Sequence, residues 1–182
     1  MINFAQLVLL LGLVPSPAVY PRDIATDDAD VLSSVIHKTC VRFNDARGPM
    51  VLISKRAEFT LGVGGIDQGA AKSLVSRNQN SPVLPAFPLC SAVALASPED
   101  ISIAKRRMQS VGCPGDNCEP QGASDRKGIL YLSVPGYSNN AELAVVEVSY
   151  LCGSVCGWSG LMVFRRANGE WIFDSFITRS VS

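Results

Sequence analysis

Cysteine is the residue type in this chain whose number and spacing could do chemistry. Two of the cysteines, Cys152 and Cys156, have three residues between them in the glycine-rich stretch LCGSVCGWSG. A thiolate can act as a nucleophile, form half of a disulfide or bind zinc. The other four cysteines are Cys40, Cys90, Cys113 and Cys118. The four residues between Cys113 and Cys118 also suit paired ligands in a four-cysteine zinc site.

The residues after Cys156 do not favour a redox active site. A thiol oxidoreductase places its attacking cysteine at a helix N-terminus, where the helix dipole and free N–H groups lower the thiol pKa. Here Gly157-Trp158-Ser159-Gly160 leads into the strand-like residues 161–164. The pattern therefore predicts a disulfide between Cys152 and Cys156 that shapes a hairpin. A zinc site is the alternative, and a reducing compartment would favour it because thiols stay free there.

The N-terminal residues predict whether the protein folds in a reducing or an oxidising compartment. Residues 7–14 (LVLLLGLV) are an apolar run too short to cross a bilayer, and Ser16-Pro17-Ala18 supplies small residues for a signal peptidase. We expect a signal peptide over residues 1–18 and one exported domain over residues 19–182. The mature protein would be periplasmic or secreted, with no membrane span after cleavage. In an oxidising compartment the six cysteines can persist as disulfides.

The pairing of the cysteines stays open at the level of sequence. Six cysteines allow 15 pairings, and sequence alone does not choose among them. Proximity suggests Cys113 with Cys118 and Cys152 with Cys156, which leaves Cys40 with Cys90 by elimination. By the loop-entropy model, a Cys40–Cys90 disulfide would stabilise the fold by about 4 kcal/mol and a Cys152–Cys156 disulfide by about 2 kcal/mol.

Charge and the remaining motifs exclude several function classes. Sixteen basic and sixteen acidic residues give a formal net charge of zero, so no overall field attracts nucleic acid. His37 is the only histidine and has no catalytic motif around it. A GxGxxG loop that began at Gly62 would need its last glycine where Asp67 stands. We predict no catalytic, cofactor-binding or metal-binding residue and no cofactor, and the sequence identifies no partner.

The first two thirds of the chain after the predicted signal peptide are expected to contain mainly helices and loops. Asp27 and Asp28 offer N-caps to an amphipathic helix that reaches Phe43. Short strands are predicted over residues 50–54 and 59–63, and a short helix over residues 67–77. A loop follows over residues 78–88. The sequence Ser97-Pro98-Glu99-Asp100 then predicts the start of a helix that ends near residue 110, with a loop to about residue 127.

The last third of the chain predicts strands. Apolar alternation marks residues 128–134, 142–152, 161–166 and 170–178, and Asn168-Gly169 predicts a tight hairpin turn. On the last strand, Trp171 and Phe173 should share one face and Phe176 the other. The fold class expected is α+β, with N-terminal helices packed on a C-terminal antiparallel β-meander. Trp158 is expected to be exposed in the glycine-rich loop and to contact a partner.

The C-terminal segment also resembles a known group of proteins. Residues 144–150 (AVVEVSY), the CGSVCG pair, Gly160 and Asn168-Gly169-Glu170-Trp171 are similar to the C-terminal part of a loose group of exported bacterial proteins without assigned activity. The resemblance covers under a third of the chain and implies no catalytic residue. The order of helix and then meander is also similar to α+β domains of the nuclear-transport-factor-2-like kind, an analogy of layout that carries no function.

Two functions follow as expectations. The first is a non-enzymatic exported domain, with a binding or envelope role, in which the cysteines are structural disulfides. The alternative is a thiol- or zinc-dependent enzyme of unrecognised type. The first is favoured because the sequence holds no activated nucleophile and no metal-ligand triad.

Overall fold

The computed structural model describes residues 23–42, 51–60, 62–109, 128–153 and 156–181. The predicted signal peptide, Cys113 and Cys118 lie outside the described residues. In chain order the elements are α1 (Ile24–Arg42), β1 (Val51–Ser54), α2 (Gln68–Asn78), β2 (Val93–Ala96), α3 (Pro98–Gln109), β3 (Gly128–Leu132), β4 (Gly136–Tyr137), β5 (Leu143–Gly153), β6 (Cys156–Ala167) and β7 (Glu170–Val181).

The strands form one mixed sheet. Its order is β2-β1-β3-β5-β6-β7, and β4 pairs with β5. The strands from β3 to β7 pair antiparallel, but β1 lies parallel to both β2 and β3. Parallel neighbours need crossover connections, and α2 and α3 provide them. The α+β class is confirmed. The picture of helices on a purely C-terminal meander holds only in part, because β1 and β2 extend the sheet from the N-terminal half.

Helices cover both faces of the sheet. The main core packs α1 against strand residues such as Ile53, Leu130 and Val146. The neighbouring residues Leu52, Ile129 and Val145 belong to two other clusters, which α3 and α2 cover. Successive strand residues point to opposite faces, so α1 lies on one face and the two crossover helices on the other.

The ends of two helices are fixed by side chains that the sequence identifies. The Asp67 carboxylate accepts a hydrogen bond from Ala70 N–H at the start of α2. At the start of α3, the Ser97 hydroxyl accepts from Asp100 N–H, and the Asp100 carboxylate accepts from Ser97 N–H. This reciprocal cap satisfies N–H groups that the helix leaves unpaired. The prediction of helices at both places is confirmed.

Two strand predictions differ from the structure. Residues 59, 60, 62 and 63 belong to no strand, so the strand predicted over residues 59–63 is wrong. Phe59 and Val63 pack instead onto the cluster under α2, which accounts for the apolar pattern. The short strands β2 and β4 were not predicted. Each has at most four residues, too few for a clear period.

The C-terminal hairpin has its turn at the predicted residues, but a bulge in β7 then changes which side chains face α1. Asn168 and Gly169 have φ values of 53° and 84°, which a tight turn of this kind requires. A register shift after Phe173 inserts one extra residue, Asp174, into β7. Phe176 therefore lies opposite Met162, on the α1 face with Trp171. The prediction that Phe176 points to the other face is wrong because of this bulge.

None of the helices in the described ranges is long and apolar enough to cross a membrane.

Candidate functional site

The structure describes the side chains of three of the six cysteines, Cys40, Cys90 and Cys152. Cys40 and Cys90 form a disulfide with their Cα atoms 6.1 Å apart, as predicted. Cys152 is also disulfide-bonded. The side chain of Cys156 and both Cys113 and Cys118 fall outside the described part, so the other two pairings stay predictions. The Cys40 link joins the last turns of α1 to the residues before β2, and both cysteines pack against the main core.

Trp158 does not occupy the exposed loop position that was predicted for it. It lies within β6 and is half-buried, with its ring centroid 6.1 Å from that of Tyr150 and 5.3 Å from that of Phe176. These aromatic contacts belong to the main core. Its indole nitrogen is buried and finds no hydrogen-bond partner among the described residues. A partner contact at Trp158 stays a prediction.

A buried group of charges holds the N-terminal end of α1. Asp28, 6% exposed, accepts hydrogen bonds from Arg77 Nη1 at 2.8 Å and Nη2 at 2.6 Å. The Tyr137 hydroxyl donates to the same carboxylate at 2.8 Å. Burial, followed by the charge of Asp28, raises the pKa of Tyr137 far above its usual range. Tyr137 therefore stays protonated and can only donate to Asp28.

The neighbouring aspartate binds a second arginine. Asp27, 7% exposed, has its Oδ2 atom 2.5 Å from Arg166 Nη2 and accepts a hydrogen bond from the Trp171 indole at 3.4 Å. The Arg166 guanidinium lies 4.4 Å from the centre of the Trp171 ring, and the centroid of the Tyr137 ring lies 5.6 Å from that of Trp171. Both aspartates are thus paired. The group is suited to orienting α1 and Trp171, because its aspartates and arginines pair with one another.

A groove opens beside this group, between α1 and β7. It has a volume of about 460 Å³, and its lining residues are Ser33, Ser34, His37, Lys38, Trp171, Ile172 and Phe173. His37 and Lys38 are exposed on the helix wall. The Lys38 ammonium lies 4.7 Å from the centre of the Phe173 ring. The groove therefore combines an aromatic floor with a basic wall.

The strand wall of the groove is the edge of the sheet. β7 has a strand on one side only within the described ranges. Arg166 lies opposite Trp171 and donates its N–H to Glu142 O, on the side away from β7. Arg166 and Trp171 therefore form a non-hydrogen-bonded pair of the antiparallel ladder. In such a pair, both residues point their N–H and C=O groups away from each other. The main-chain groups of Trp171, and of Phe173 two residues later, therefore point outward from the sheet.

The opposite face of the sheet carries a second polar cluster. The Glu147 carboxylate, in a residue that is 2% exposed, accepts hydrogen bonds from Thr60 N–H at 3.0 Å and from the Thr60 hydroxyl at 2.9 Å. These bonds fix the connection between β1 and α2 across the sheet. Burial raises the pKa of the nearby Glu58, Lys105 opposes that shift, and Glu147 adds to it. Glu147 thus acts as a structural anchor.

The described residues contain no group of three or more His, Cys, Asp or Glu side chains that could hold a metal ion. His37, the one histidine, lies in the groove instead. The shared face of Trp171 and Phe173 and the helical position of His37 were predicted from the sequence. It did not reveal that α1 packs beside β7, so the groove was missed. No local pattern could have shown it, since its walls come from opposite ends of the chain.

A scan against protein-family models and searches of curated proteins and of solved structures found no match to this chain. The resemblance of the C-terminal segment to exported bacterial proteins, and the similarity of layout to nuclear-transport-factor-2-like domains, therefore stay predictions.

Proposed function

We propose that this chain is an exported, disulfide-stabilised domain that acts by binding a ligand in the groove between α1 and β7. The groove carries the proposal: about 460 Å³ is a volume that suits a small ligand or a few side chains of a larger one. The Trp171 ring at the base of the groove is held in place, because its indole N–H donates to Asp27 and the Arg166 guanidinium packs on its face. A preformed site loses little conformational entropy when it binds.

Export is supported by two independent features. The apolar run at residues 7–14 followed by small residues is typical of a secretory signal. The Cys40–Cys90 disulfide suits an oxidising compartment such as the periplasm or the extracellular space. The alternative, a thiol- or zinc-dependent enzyme, needs free thiolates. Cys40, Cys90 and Cys152 are all disulfide-bonded, so none of these three supplies one.

Export and thiol state can be tested on one sample. The full chain is expressed with its own N-terminus in a bacterium, and the exported fraction is analysed by intact mass before and after alkylation without reductant. We expect a chain that begins at residue 19, with no alkylated cysteine and no bound zinc. Free thiols at Cys152 and Cys156, or a stoichiometric zinc ion, would favour the enzyme alternative. An unprocessed chain would contradict export.

Binding in the groove is tested by NMR on the oxidised, isotope-labelled protein with a general library of small fragments. Fragments that bind should shift the Trp171 indole signal and the amides of residues 33–38 in a saturable way. Ser34→Gln narrows the groove and should weaken these shifts. Ser76→Gln is the matched control, because both serine hydroxyls donate to a main-chain carbonyl of their own helix. Saturable shifts that map elsewhere, or none at all, would contradict the proposal.

A further inference from the structure

We propose that the ligand of this groove is an extended peptide segment with an acidic side chain, which adds to the edge of β7 as a further antiparallel strand. The inference rests on the proposed function, since it names the class of partner for the same groove. Three features of the site support it: the outer edge of β7, which pairs with no other strand of the described ranges, the length of its regular part, and the charge of the helix wall.

The main chain of β7 supplies the first argument. Trp171 and Phe173 point their N–H and C=O groups outward from the sheet edge, and both residues line the groove whose other wall is α1. A small ligand can satisfy one or two such groups. An extended backbone satisfies alternate N–H and C=O groups along a strand, which is how peptides add to exposed sheet edges. The repeat of outward groups at every second residue thus matches a peptide strand.

The geometry of β7 limits the length of this pairing. The regular edge runs from Glu170 to Phe173, because Asp174 is the extra residue of the bulge. A second register shift lies between Ser180 and Thr178. Bulges of this kind interrupt edge pairing and protect against open-ended association between sheets. The uninterrupted edge therefore accommodates a short segment of about four residues, roughly 13 Å long.

The charge of the groove specifies an acidic side chain. Lys38 and His37 stand exposed on the helix wall, and no salt bridge to Lys38 occurs among the described residues. Asp174, the residue that follows the regular edge, is paired with Arg165 at 3.3 Å. The Lys38 ammonium above the Phe173 ring is therefore available to a ligand carboxylate. Ser33 and Ser34 add no charge to this wall.

The test begins with a phage-displayed library of random eight-residue peptides, selected on the oxidised full-length mature protein. We expect the selected sequences to be enriched in Asp and Glu and depleted in Pro. Synthetic copies of the best peptide are then methylated at one backbone nitrogen at a time. Strand addition predicts that methylation at alternate residues weakens binding at least tenfold, because each such methyl removes an inter-strand hydrogen bond, and that the residues between tolerate it.

A charge reversal tests the role of the helix wall. Lys38→Glu should weaken binding of the acidic peptide about three- to tenfold. A repeated selection on this variant should favour peptides with Lys and Arg. Lys72→Glu, an exposed lysine on α2, makes the same change of charge away from the groove and should leave binding unaltered. Equal effects of the two variants would overturn the acidic specificity.

The failures of the two proposals are distinguishable. A library that yields no enriched peptide, or a methylation profile without alternation, overturns strand addition even when fragments bind in the groove. Fragments that fail to bind in the groove overturn the proposed function itself. Peptides that bind but shift NMR signals on the α2 face would overturn strand addition at β7 and leave the proposed function to the fragment experiment.

Discussion

The buried pair of Asp28 and Arg77 allows a stability prediction with a defined size. Replacing Arg77 by Met keeps much of the side-chain volume and removes both hydrogen bonds to Asp28. Asp28 then keeps the Tyr137 hydroxyl as its remaining neutral donor. Pro135 O also loses the hydrogen bond that Arg77 donates to it. The variant therefore leaves a buried carboxylate whose charge is no longer compensated.

The expected loss follows from the exposure of the pair. Removing one partner of a fully buried ion pair costs about 3–5 kcal/mol. The Asp28 side chain is 8% exposed, but that of Arg77 is 25% exposed, so solvent reaches one side of the pair. We expect a loss near the lower end, about 3 kcal/mol. With a urea m-value of about 2 kcal/mol/M this lowers the unfolding midpoint by roughly 1.5 M.

Two further variants separate charge from packing. Arg165→Met removes a partner of the exposed pair with Asp174, whose side chains are 60% and 37% exposed, and should cost at most about 1 kcal/mol. Asp28→Asn in the Arg77→Met background removes the uncompensated charge and should restore a large part of the loss. Urea unfolding followed by circular dichroism measures all of these. If Arg77→Met costs no more than Arg165→Met, the buried pair does not stabilise α1 as argued.

Three shorter predictions concern other parts of the fold. Replacing both Cys40 and Cys90 by Ala should lower the free energy of unfolding by up to about 4 kcal/mol, since the link spans 50 residues; a midpoint equal to that of the native protein would contradict this. Gly136→Ala should cost about 1–3 kcal/mol in the same assay, because the added methyl collides with main-chain atoms of α2, and an unchanged stability would show that α2 moves freely. Burial raises the pKa of Glu58, so its proton stabilises the folded state below the usual glutamate pKa and that stabilisation is lost as the pH rises; Glu58→Gln should flatten this decline, and parallel pH profiles would refute it.

The sequence predicted those parts of the fold that are encoded locally. Asn168-Gly169 specifies the hairpin turn through two positive φ values, and Ser97 with Asp100 marks the start of α3. Alternation along β5 placed Val146 and Val148 on the core face, where they are buried. Each of these signals lies within a few residues, so no tertiary information was needed.

Nonlocal features were not predictable in the same way. The parallel pairing of β1 with β2 joins Val51 to Val93, and the four-residue strands carry no period that specifies a partner. The bulge at Asp174 reverses the face of the residues that follow it as far as Thr178, and alternation along the strand gives no sign of this change. Trp158 was expected in a loop because glycines flank it. Those glycines instead lie in β6, and one of them, Gly160, makes room for the Phe176 ring.

The groove and the devices that stabilise the fold depend on the same helix. Asp27 and Asp28 hold the first turns of α1 to Arg166 and Arg77, and Cys40 holds its last turns to Cys90. The helix is thus fixed at both ends, and residues 33–38 between them form the wall that faces β7. Fixing the two ends limits how far that wall can move relative to the strand edge. A preorganised gap of this kind favours one defined occupant, because a strand seated there need not displace α1 to reach the main chain of Trp171 and Phe173.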